Sequence, residues 1–173
     1  MKYLRPLVTA SALLLTVLLV FSGCGAKVNY KDNVPSEQIT REITQKVTVE
    51  SGYTVCDPDF IQFYLTDAVQ LVNDYSIVYA TAADDYTEIG VLHVQNKKNL
   101  KDVETVVQNY LDEFRTTYEP QAQQYDPSEQ QKLKDAAYRV YGNYVIYTIA
   151  TAETQEIYDG IIMKLLEDVQ TEA

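Results

Sequence analysis

The chain has 173 residues, with 25 acidic against 14 basic side chains and a formal net charge of −11. That balance argues against nucleic acid as a partner and against docking on an anionic lipid surface through basic residues. The 15 tyrosines and the absence of tryptophan point to half-buried sheet faces with hydroxyls at the rim, and the lack of Trp weakens the sharper reading of a sugar-binding face.

In chain order, Lys2 and Arg5 make a short basic start, Leu7 to Val20 is an uncharged apolar run, and Phe21-Ser22-Gly23-Cys24 follows. These are the three regions of an export signal. The last four residues resemble the bacterial lipobox, in which the signal is cut before a cysteine joined to diacylglycerol through its thiol. Phe21 stands where that motif usually has Leu. The expectation is a signal peptide over 1–23 and lipid attachment at Cys24, including palmitate-type acyl chains, on the extracytoplasmic face of the cell membrane. Two or three acyl chains hold a protein stably where one is marginal. An uncleaved anchor and plain secretion are the alternatives. The 17 residues from Leu7 to Gly23 fall short of the about 20 that a spanning helix needs. Cleavage would leave 150 residues with 12 basic against 25 acidic side chains, a net charge of −13, and a length that suits one domain.

Residues 24–34 form a short polar tether, and a single globular domain spans 35–173. Pro35-Ser36 opens a helix with Ser36 as its N-cap. Ile39, Ile43 and Val47 give that helix one apolar stripe, and it ends near Ser51-Gly52. Asp57-Pro58-Asp59 starts a short second helix. Tyr75 to Ala82 and Thr87 to Gln95 read as strands around the turn Ala83-Asp84-Asp85-Tyr86. Asn99 caps the longest helix, whose apolar positions run from Val103 to Tyr118, with Pro120 at its end or at a kink. Asp126-Pro127-Ser128-Glu129 opens another short helix. Tyr138 to Tyr141 and Tyr144 to Ala150 flank Gly142-Asn143, a hairpin signal. Thr151 caps the last helix, in which Gly160 offers a close approach to the sheet at a cost of about 1 kcal/mol relative to Ala.

The expected fold is α+β: two β-β-α units forming a four-stranded antiparallel sheet, the amphipathic helices packed on one face and the first helix at an edge or end. Asp74-Tyr75, Tyr86-Thr87-Glu88-Ile89-Gly90-Val91, Tyr125-Asp126-Pro127 and Gly142-Asn143-Tyr144-Val145 resemble blocks of the bacterial domain-of-unknown-function 4358 family, whose members are mostly small exported proteins, often lipidated. The resemblance runs from Asp74 to Val169 and implies no activity and no catalytic residues.

The chemistry-bearing residues are sparse. His93 is the single histidine. It alternates with Ile89 and Val91, and a packed or rim position is the better reading. Cys56 has no disulfide partner once Cys24 carries lipid. Near a helix start its thiol pKa could be lowered, yet a small buried residue is the simpler account. Asp57, Asp59 and Asp67 form one acidic cluster. Asp84, Asp85 and Glu88 form another and are the candidate surface site. Neither has calcium-loop spacing. No nucleotide, hydrolase or zinc motif is present, so the sequence points to no catalytic residue, metal or cofactor. The function expected from the sequence is a membrane-anchored binding or interaction module for an envelope protein or small ligand. The alternatives are a carboxylate-dependent hydrolase of envelope polymers and a calcium-responsive module.

Overall fold

A computed structural model describes residues 28–168. The signal segment and Cys24 lie outside the described residues, and no helix among the described ones is long and apolar enough to cross a membrane. The order is α1 (Ser36–Lys46), β1 (Tyr53–Val55), α2 (Pro58–Tyr64), α3 (Thr66–Val69), β2 (Val72–Ala80), β3 (Glu88–Val94), α4 (Leu100–Tyr125), α5 (Pro127–Asp135), β4 (Ala137–Tyr141), β5 (Tyr144–Ile149) and α6 (Ala152–Leu166).

The α+β class holds, with three corrections. The sheet has five strands, not four, in the order β1-β2-β3-β5-β4, and every neighbouring pair is antiparallel. The added strand, β1, is three residues long and pairs with Val78, Tyr79 and Ala80. It is too short for alternation to reveal it.

Helices cover both faces of the sheet, not one. Every residue of β3 and β5 is buried, so neither strand has a polar face to leave in water. Leu92, Val94, Val145, Tyr147 and Ile149 pack with Val103, Val107 and Leu111 of α4 and Leu133 of α5. The alternate positions Ile89, Val91, Tyr144 and Ile146 pack with Ile39 and Ile43 of α1 and Tyr158, Ile161, Ile162 and Leu166 of α6. The two long helices thus follow successive hairpins to opposite faces, and α1 lies on a face, not at an edge.

Helix ends differ from the sequence reading in informative ways. Asp57, Asp126 and Thr151 cap as expected. Ser36 does not: Pro35 holds the cap position, and the Ser36 N–H is taken at 2.9 Å by Asp74 Oδ1 from β2. The helix ends at Lys46, several residues before Ser51-Gly52. Asn99 makes no side-chain cap. Asn96 caps the 3-10 turn Lys97–Asn99 that leads into α4. Pro120 neither ends nor splits α4, whose last turn is anchored by buried Ala122 and by Asp126 N–H to Ala122 O at 2.8 Å.

Residues 28–34, expected as tether, lie on the domain. Lys31 N–H donates to Leu166 O at 2.7 Å, and Asp168 N–H donates to Asn29 O at 2.9 Å. The Tyr144 hydroxyl bonds both the N–H and the carbonyl of Val34. Asp32 sits 2.9 Å from His93 Nε2 and 2.7 Å from Asn143 Nδ2. Asp74 Oδ2 faces the other ring nitrogen at 3.3 Å, and the His93 ring stacks on Tyr144 with centroids 4.4 Å apart. A neutral imidazole donates from one nitrogen only, so both contacts are hydrogen bonds only when the ring carries its second proton.

Two glycines make opposite predictions. A Cβ on Gly90 would meet the Tyr147 ring at 2.0 Å, because the ring of its cross-strand partner lies over the bare backbone. Gly160 has nothing within 4 Å of a Cβ, so the close approach expected there does not occur. Gly160→Ala is expected to stabilise by about 1 kcal/mol, read by denaturant melts. Gly90→Ala is expected to destabilise by ~1–3 kcal/mol, because the ring or the strand must move.

Candidate functional site

Between α4 and the β2–β3 turn lies a cleft of about 630 Å³. Its floor is the first residue of β3. Alternation along β3 turns Glu88 toward the α4 layer, together with Gly90 and Leu92. The side chain is 9% exposed. Tyr147 of β5 donates its hydroxyl to Glu88 Oε1 at 2.6 Å, and Tyr110 of α4 donates to the same oxygen at 2.8 Å. Oε2 has no hydrogen-bond partner among the described residues.

The wall is aromatic because α4 repeats Tyr110, Phe114 and Tyr118 at i, i+4 and i+8, one face of a helix. Tyr110 and Phe114 have ring centroids 5.8 Å apart, and Phe114 and Tyr118 4.5 Å. Tyr86, from the turn before β3, closes on Phe114 at 6.2 Å and on Tyr118 at 5.2 Å. Tyr64 meets Tyr110 edge-on at 6.1 Å from the other side. The Tyr86 backbone is held by its N–H to Glu129 Oε2 at 2.8 Å, so α5 positions one ring of the cleft.

Electrostatics follow from burial. Desolvation pushes the Glu88 carboxyl above its ordinary value, and the two phenol bonds only partly offset it. Cys56 also lines the cleft. Burial, then the nearby Glu88 and Asp57 carboxylates, push its thiol up to about 11, the opposite of what an activated nucleophile needs. Burial also raises Tyr110 and Tyr147, with Glu88 beside both.

The three members of the candidate surface site part company. Glu88 is buried under α4. Burial alone would raise Asp85, but bonds from Lys132 at 2.7 Å and from Thr87 outweigh it and hold the carboxyl below its usual value. Asp84 stays exposed in the turn. Among the described residues, no three His, Cys, Asp or Glu side chains gather in a group able to hold a metal ion. The sequence reading missed Tyr86, Tyr110, Phe114 and Tyr118 as a site. The four-residue aromatic repeat in α4 was the visible signal, and it reads equally as core.

Fold and cleft together define an α+β domain with helices on both faces of an antiparallel sheet and a ligand-sized aromatic cleft under one of them. Residues 68–150 match the family model described as a domain of unknown function, DUF4358. The match takes in all four blocks of the sequence resemblance and stops before α6. No curated protein and no solved structure is significantly similar to the chain.

A raised carboxyl costs stability as pH climbs. The folded state keeps a proton on Glu88 that the unfolded chain releases near 4.5, so stability falls as pH rises from there through the folded value. Glu88→Gln keeps an oxygen for both phenols and removes that titration. The difference in melting temperature between the wild type and this variant is expected to grow in the variant's favour as pH rises from about 5 to 8.

Proposed function

We propose that the chain is a non-catalytic binding module, held by lipid at Cys24 on the extracytoplasmic face of the membrane, and that the cleft under α4 is its ligand site. The observation that carries this reading is the aromatic wall over a buried carboxylate whose second oxygen has no partner among the described residues. A volume of about 630 Å³ lies within the usual range for small-molecule sites, about 300–1,000 Å³. A small ligand therefore fits better than an envelope protein seated on a flat face.

The position of the cleft also supports an anchored module. Residues 28–34 lie at the His93 end of β3, and the cleft lies at its Glu88 end, roughly 17 Å away along the strand. A chain tethered through Cys24 would hold its cleft at the end of β3 opposite residues 28–34.

A second reading has one observation in its favour. Asp57, Asp85, Glu88 and Glu113 line the same cleft, and a carboxyl kept protonated by burial is what a hydrolase uses as general acid. Turnover of envelope polysaccharide that is abolished by Glu88→Gln and Asp57→Asn would favour it over simple binding.

Nuclear magnetic resonance tests the binding reading. A panel of small aromatic, amine and sugar fragments is expected to shift resonances of Tyr86, Phe114 and Tyr118 together, and Phe114→Ala is expected to weaken those shifts about tenfold or more. Shifts scattered over the surface, or unchanged by Phe114→Ala, would remove the cleft as the site. Metabolic palmitate labelling is expected in the wild type and absent in Cys24→Ser; equal labelling would end the anchor.

A further inference from the structure

The chemical class of the ligand follows from what lines the cleft and what does not. Among the described residues, four carboxylates line it and no lysine or arginine does. Asp85 alone has its charge matched, by Lys132 reaching in from α5 at 2.7 Å. Asp57 is occupied in capping α2, with Oδ1 accepting Asp59 N–H at 2.8 Å. Glu113 lies on α4 beside Phe114. Glu88 is the most buried of the four, and its Oε2 has no hydrogen-bond partner among the described residues. An anion entering this cleft would meet uncompensated negative charge. A neutral apolar molecule would leave Oε2 desolvated and unbonded, at the cost of a buried acceptor.

A cation meets both needs. An ammonium head can donate to a carboxylate, and an alkyl tail can pack on the rings of Tyr86, Phe114 and Tyr118, which line the cleft in mutual contact. We propose, resting on the reading of the cleft as a binding site, that it takes a primary alkylammonium: the N–H groups donate to Glu88 Oε2, and the alkyl chain lies along Tyr86, Phe114 and Tyr118. The two phenols already on Oε1 fix the carboxylate plane and leave Oε2 as the acceptor.

Proton linkage follows. The groups around Glu88 are Tyr110 and Glu113 from α4, Tyr147 from β5, Cys56 and Asp57 at the start of α2, and Asp85 with Lys132 across the turn. Glu88 is the buried carboxyl among them, and burial raises its pKa above the ordinary value. Pairing with an ammonium requires it to ionise, so the ligand displaces that proton and binding tightens as pH rises.

Calorimetry on the full chain, with hexylammonium and its neutral counterpart 1-hexanol as probes, tests this. Hexylammonium is expected to bind about tenfold or more tighter than hexanol at pH 8. That preference is expected to shrink toward pH 5 and to vanish in Glu88→Gln, whose fold is checked by its melting curve. A third arm, Nα-acetyl-lysine amide, separates a free amine from a lysine side chain of a peptide; tighter binding of either supports the ammonium chemistry and names its source. Equal affinity for hexylammonium and hexanol, both lost in Phe114→Ala, would overturn the ammonium assignment and leave an apolar ligand site. No binding of any probe to the wild type would overturn the assignment too, and the fragment-shift experiment then decides separately whether the cleft is a site at all. Hexylammonium affinity unchanged in Glu88→Gln would likewise overturn it.

Discussion

Strands β3 and β5 are buried along their whole length, and both lie inside the sheet. A strand without a solvent face needs a cover on each side. Two hairpins, β2–β3 and β4–β5, meet along these strands. Each is followed by a long helix, and the need to cover both faces sends those helices apart: α4 to one side, α6 to the other, with α1 completing the second layer. A one-faced layout would have left Ile89, Val91, Tyr144 and Ile146 in water, forfeiting about 1.5–3 kcal/mol for each large side chain.

The same demand explains why a charged group is found in the interior. Glu88 begins β3 at the cleft beside α4, where Tyr110 and Tyr147 enclose it. Tyrosine suits this place better than phenylalanine. Tyr110 and Tyr147 bury large rings and spend their hydroxyls on the one acceptor below them, which keeps a buried carboxyl tolerable without a basic partner. Across the sheet, Asp74 serves in a comparable economy: one oxygen caps α1 and the other faces His93.

Much of the fold was legible where a local rule acts alone. The α4 and α6 stripes, the caps at Asp57, Asp126 and Thr151, and the turn at Gly142, with φ +62°, all depend on residues within one turn of each other. What escaped depends on distant partners. Ser36 is a good cap by type, but Asp74 takes its N–H, 38 residues on. Asp32 meets His93 across 61 positions, so a segment of tether composition becomes part of the packed domain. The helices' choice of face is set by which strands become central, and periodicity does not report that. At the site, Asp84, Asp85 and Glu88 look like one acidic cluster in sequence. The pleat and Lys132 divide them, and the rings that matter came from α4 and a turn.

One consequence concerns strand register. Along β3 the two polar side chains have opposite parity: Glu88 looks into the α4 layer and His93 into the α1/α6 layer. A slip of β3 by one residue against its neighbours would exchange the faces of every side chain. It would carry the carboxylate away from Tyr110 and Tyr147 and the imidazole away from Asp32 and Asp74. It would also replace the bare backbone under the Tyr147 ring with Ile89 or Val91. An apolar strand buried on both faces would otherwise hold its pairing only weakly, since either face would do. Here an ionisable group near each end and a glycine between them act as keys that fit a single alignment.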